Sequence, residues 1–140
     1  MAYREKIEVV VGTSHEARVL ECNYSNAISA FKGTSIIIAD YYEHAQYRRF
    51  LRLRDQWKKE TMFASSSTVI YRNDAYQKII GLGIRSIPWI IRDLKKTNAH
   101  WFNALFNITG ENPINHNHSG VVPKMAEDWI KWAEKKGYVS

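Results

Sequence analysis

The spacing of apolar residues changes near residue 41, and the two halves of the chain predict different elements. Before that point the pattern is short and strand-like. Lys6-Ile7-Glu8-Val9-Val10-Val11 begins with alternation and stops at Gly12-Thr13-Ser14. Alternation of period two marks a strand with one buried face. Arg18–Cys22 is a second candidate strand, and Ser35-Ile36-Ile37-Ile38 a third, β-branched enough to prefer a pleated surface. Ser25 to Gly33 predicts one or two helical turns between them, with Ser25 as cap and Gly33 as left-handed stop. Three short strands cannot cover both of their faces. They need the following helices, or another chain, as a neighbour.

From Tyr41 the period lengthens. Tyr47, Phe50, Leu51 and Trp57, with Leu53 beside them, recur at helical steps and predict an amphipathic helix from about Tyr42 to Met62. Ser65-Ser66-Ser67-Thr68 breaks it as a polar linker. Asn73 or Asp74 can cap a helix over Ala75–Ile80 that Gly81-Leu82-Gly83 closes. A further helix covers about Ile84 to Lys96, with Ile84, Ile87, Ile90, Ile91 and Leu94 as its stripe. Pro88 falls in its first turns, where the missing N–H costs least. Trp101, Ala104, Leu105 and Ile108, widened by Phe102 and Phe106, mark a helix over about Ala99 to Ile108 that Thr109-Gly110-Glu111-Asn112-Pro113 stops. After a polar loop from Ile114 to Ser119, a last helix runs from about Val122 to Lys136. Its inward side is Met125, Ala126, Trp129, Ile130 and Ala133, and Gly137 ends it. Trp101, Leu105, Ile108 and Trp129 are expected to share one core.

These elements predict an α+β protein that is predominantly helical. A short strand-rich part, residues 1–40, precedes about five helices in residues 41–140, the whole forming one compact domain. With 140 residues the chain suits a single domain.

Charge sharpens the contrast between the halves. The net charge is +6. Residues 1–40 carry four basic and five acidic groups, a balance of −1, whereas residues 41–60 carry six and three and residues 61–140 ten and six. A basic balance admits nucleic acid or an acidic protein as a partner. The single cysteine, Cys22, forms no internal disulfide and suits a reducing, cytoplasmic setting. The longest apolar run, Thr34 to Ala39, is too short to span a membrane.

Two resemblances add to this reading. Leu82-Gly83, Ser86-Ile87-Pro88-Trp89-Ile90-Ile91-Arg92-Asp93-Leu94-Lys95 and Trp101 to Gly110 resemble a HEAT-type helical repeat. The resemblance implies a helix pair at the centre of the helical part. Only about one and a half repeats are visible, and an array needs roughly three. The link Lys96-Thr97-Asn98-Ala99 is short, and Trp101 and Phe102 replace the usual small and charged residues. From Trp57 to Tyr138 the chain also resembles a group of small uncharacterised bacterial proteins. The features are Ala75-Tyr76-Gln77-x-Ile79-Ile80-Gly81, His100-Trp101-Phe102-x-Ala104-Leu105, Ile108-Thr109-Gly110-Glu111-Asn112-Pro113 and Met125-Ala126-x-x-Trp129. This resemblance implies a bacterial or phage setting and brings no catalytic residue with it.

Candidate chemistry is sparse. His116 and His118, with His100, would make a poor preformed metal site, and an exposed connector is the better reading. His100 precedes an aromatic pair and suits a structural role better than acid–base work. Cys22 beside His15 or His44 suggests a thiol nucleophile only weakly, since cysteine is so often inert and buried. Asp40 suits a turn or cap, and Glu111 a turn, or a pair with Arg85 or Arg92. No metal, cofactor or catalytic residue is expected. Trp89 and Trp132 lie off the main stripes and are interface candidates. Arg48, Arg49, Arg52, Lys58 and Lys59, with Arg54, form a basic helix side that would neutralise several phosphates, although Glu43, Asp55 and Glu60 interrupt it.

The expected function is a non-enzymatic protein-interaction module or adaptor of bacterial or phage origin. Its protein partner or self-association is assigned to residues 1–40, and no membrane is involved. The alternative is a nucleic-acid-binding accessory protein that uses the helix around Arg48–Lys59. An enzyme is the least supported class.

Overall fold

The computed structural model describes the backbone of residues 7–11, 18–22 and 24–140, and the side chains of residues 38–140. His15 and the side chains of Cys22 and Ser25 lie outside the described residues. The elements run β1 (Ile7–Val11), β2 (Arg18–Cys22), α1 (Tyr24–Glu60), α2 (Ser67–Arg72), α3 (Asp74–Ile80), a 3-10 turn (Gly83–Ser86), α4 (Ile87–Thr97), α5 (Phe102–Thr109), a 3-10 turn (His116–His118) and α6 (Val122–Lys136). The chain divides into two compact units, residues 1–46 and 47–140, and the division falls within α1.

The expected α+β class and strand-rich N-terminal part do not hold. The chain is predominantly helical, with six α-helices among the described residues. The only strands among the described residues are one antiparallel hairpin, β1 with β2, Ile7 opposite Cys22. The third candidate strand, Ser35–Ile38, and the proposed stop at Gly33 both lie inside α1, which is 37 residues long. Once a helix is nucleated, each added residue gains a hydrogen bond, so extension absorbs the modest β preference of three isoleucines and the cost of one glycine. The 47–140 unit contains no strand.

That unit is built around large aromatics. Phe50, Trp57, Tyr76, Trp101 and Trp129 are buried, with Ile79, Ile87, Ile90, Ile91, Leu94 and Leu105 between them. Ile108 packs at the edge of the same cluster. The rings of Trp57 and Trp101 lie 4.5 Å apart, those of Trp57 and Tyr76 4.9 Å, and those of Phe50 and Trp101 5.9 Å. Burying such rings requires partners for their polar ends. Trp57 Nε1 donates to the Ile70 carbonyl at 3.1 Å, while Tyr76 Oη donates to the His100 carbonyl at 3.0 Å and accepts from Ala104 N at 2.8 Å. Burial first, opposed by the Ala104 bond, pushes the Tyr76 hydroxyl far above the usual tyrosine range. Among the described residues, Trp129 Nε1 is buried without a partner.

Local signals set the helix ends. Asn73 caps α3, its Oδ1 accepting from Tyr76 N at 3.2 Å. Pro88 sits in the first turn of α4. Gly110 and Gly137 close α5 and α6 with φ of 70° and 81°, where a Cβ would be strained. α4 packs mainly on α6, and α5 on α3. Ile84 departs from the expected stripe: it lies in the 3-10 turn before α4 and is 61% exposed.

Candidate functional site

The basic helix side separates on inspection of its neighbours. Arg48, Arg49, Arg52 and Lys59 are exposed. Lys58 points inward. Its Nζ donates to both carboxylate oxygens of Asp93, at 2.9 and 2.7 Å. Asp93, on α4, is only 6% exposed. Its Oδ2 also accepts from Trp101 Nε1 at 2.8 Å and from Thr97 Oγ1 at 3.2 Å. Arg54 approaches the same group, Nη1 to Oδ1 3.6 Å, while its Nε and Nη2 donate to Asp55 Oδ1 at 2.8 and 2.7 Å. Asp93 is therefore a hub that ties α1, α4 and the start of α5 together. A buried carboxylate is tolerated when several donors replace its lost water. The residue that sequence reasoning missed is this acceptor. Its signal was present, since an aspartate between Ile91 and Leu94 on an apolar face must find a donor.

The interface candidates both belong to aromatic groups. Trp89 is half-buried, its ring 5.4 Å from Tyr47 and 5.7 Å from Phe50. Trp132, also half-buried, lies 5.2 Å from Trp129 edge-on and 5.5 Å from Tyr138 stacked. Trp132 Nε1 donates to Glu111 Oε2, and Lys136 Nζ to Glu111 Oε1 at 2.9 Å. The Trp132 bond, then the Lys136 bond, hold the Glu111 carboxyl below the usual carboxylate range. Glu111 thus pairs with Trp132 and Lys136 of α6.

The histidines do not converge. His100 is exposed, its ring edge-on to Phe102 at 6.3 Å. His118 Nδ1 lies 2.7 Å from Asp128 Oδ2, which also accepts from Asn115 N at 2.9 Å and so fixes the loop before α6. His44 lies 3.7 Å from Asp40, one turn apart on α1. Among the described residues no three of His, Cys, Asp and Glu are placed to hold a metal ion. No described helix is long and apolar enough to cross a membrane.

The surface offers something else. Where α1 gives way to α2, Phe63 is 95% exposed, Met62 65% and Val69 55%. Beside α2 lies an open cleft of about 410 Å³, lined by Thr68, Tyr71 and Arg72 of α2, Gln77 and Ile80 of α3, and Asn103 and Asn107 of α5. Its amides are already engaged: Gln77 Nε2 donates to the Tyr71 carbonyl at 2.7 Å, and Asn107 Nδ2 to the Asn103 carbonyl at 2.7 Å. Arg72 has no partner among the described residues.

These features describe a predominantly helical protein with a buried ionic hub and no cluster of reactive groups among the described residues. Comparison of the chain with protein-family models, with curated proteins and with solved structures found no match.

Proposed function

We propose that this chain is a non-enzymatic protein-interaction module working in the cytoplasm. The observation that carries the reading is the cluster of exposed apolar side chains at the α1–α2 connection, above all Phe63 at 95% exposure. A fold that buries Trp101, Trp129 and Tyr76 completely leaves these three in water. Exposed apolar residues grouped in one segment favour a contact with another protein. The titratable groups that are best buried, Asp93 and Tyr76, are committed to internal bonds, which supports a structural use for them.

Charge favours a second reading, nucleic-acid binding through α1. Residues 47–140 carry 16 basic and 8 acidic groups, a balance of +8. Arg48, Arg49, Arg52 and Lys59 have no partner among the described residues, so their charge is free to meet phosphates. Lys58 is removed from that surface by Asp93.

Affinity purification of the tagged chain, with and without nuclease and at low and high salt, separates the two. A protein partner retained after nuclease and at high salt is the expected result. A partner lost on nuclease treatment, or binding that falls steeply with salt, would assign the function to α1 and nucleic acid.

A further inference from the structure

We propose that the α1–α2 connection and the adjoining cleft form one docking site for an acidic, apolar-anchored peptide segment of a partner protein. The inference rests on the interaction-module reading and adds the chemistry of the partner. An apolar side chain of the segment covers Phe63 and Val69, and a carboxylate of it reaches Arg72.

Three observations lead there. Met62, Phe63 and Val69 expose most of their apolar surface within eight residues of chain, so an occupant needs apolar groups of its own. The cleft of about 410 Å³ begins at Thr68, next to Val69, and has room for a few side chains rather than a folded domain. The charge balance around it is positive, with Lys59, Arg72 and Lys78 against Glu60 and Asp74. Arg72 in the cleft and Lys59 one turn before Met62 have no partner among the described residues. Of the nearby acids, Asp74 is ion-paired with Lys78 at 2.7 Å, and the oxygens of Glu60 accept from Gln56 at 2.9 Å and Asn73 at 2.6 Å. Side-chain bonds from Asn73, then Gln56, keep the Glu60 carboxyl below its usual range, so it stays an anion that those amides occupy. A guanidinium that is free and set in a partly apolar cleft matches a carboxylate in paired, planar fashion. A nucleic-acid backbone supplies the anion but leaves the apolar surface uncovered, which is why a peptide fits better.

The test uses the full chain and a random twelve-residue peptide library displayed on phage. Selection on the wild-type protein is expected to enrich peptides that combine Asp or Glu with Leu, Phe or Trp. The enriched peptide should shift the amide resonances of residues 62–72, 103 and 107 in an isotope-labelled sample. Arg72→Gln and Phe63→Ser, both at exposed positions, should each weaken it about tenfold, whereas Arg48→Gln should leave it unchanged. Selection with no acidic or apolar bias, shifts centred on residues 48–59, or equal affinity for the variants would overturn the site. So would an oligothymidylate that shifts residues 62–72 more than the peptide does, since base stacking on Phe63 would then be the occupant. A partner that survives nuclease and salt while these peptide results fail would leave the module reading standing without this site.

Discussion

Neutralising Asp93 isolates the energetic role of the hub. In the native protein its carboxylate accepts from Lys58 at 2.7 and 2.9 Å and from Trp101 Nε1 at 2.8 Å, at 6% exposure. Asp93→Asn preserves the shape but offers one acceptor oxygen, and its amide nitrogen must face a donor. The lost charge-assisted bond is worth about 1.5–3 kcal/mol before discounting. Lys58 is 33% exposed and can turn to water, so its share is reduced. Trp101 is fully buried and cannot, so an orphaned indole N–H costs about 1–3 kcal/mol. Together the expected loss is about 2–4 kcal/mol, a large part of a total stability of about 5–15 kcal/mol. Lys58→Met is expected to cost a similar amount, since it strands the carboxylate with Arg54 Nη1 at 3.6 Å as the nearest remaining cation. The double variant should cost less than the sum, with an interaction energy of about 1–3 kcal/mol. Urea unfolding followed by tryptophan fluorescence and far-ultraviolet circular dichroism measures all four proteins. An Asp93→Asn variant within about 0.5 kcal/mol of wild type, or strict additivity in the cycle, would refute the hub.

Other expectations follow from neighbouring details. Trp101→Phe should destabilise more than Trp129→Phe, by about 1–2 kcal/mol in the same assay, because only the Trp101 indole has an acceptor to lose; the reverse order would count against the Asp93 bond. Asn73→Ala removes the α3 cap and the Glu60 contact and should cost about 1 kcal/mol, read from the urea midpoint, with no loss pointing to a redundant cap. Glu111 has a lowered carboxyl, so its bonds to Trp132 and Lys136 contribute above the unfolded value and are lost as pH falls through the folded one. The Trp132 indole resonance should therefore move as acid enters the range below ordinary carboxylates, and an identical acid profile in Glu111→Gln would remove Glu111 as the cause. Changing Arg48, Arg52 and Lys59 together to Gln should leave stability unchanged and, if wild type binds DNA or RNA, flatten the salt dependence of that binding.

Much of the 47–140 unit was legible because its signals are local. Pro88 near a helix start, Asn73 at a cap, and Gly110 and Gly137 at left-handed stops each act through their own backbone. The expected last helix coincides with α6, Val122–Lys136, and Trp101, Leu105 and Trp129 share the core their spacing placed them in. A helix face is a periodic property, so a single sequence displays it.

Tertiary structure decided the rest. Whether Ser35–Ile38 became strand or helix depended on the helix that extends through it, which outweighed a small local preference. Lys58 and Lys59 are chemically equal neighbours about 100° apart on α1, and only the position of Asp93 makes one a core ion partner and the other a surface charge. Phe63 and Ile84 look like core residues by type, yet both face solvent, because the packing partner that would cover them is absent from their surroundings among the described residues. Composition and period state how apolar a position is; burial is a relation between two positions distant in the chain, and it exists only once the helices have packed.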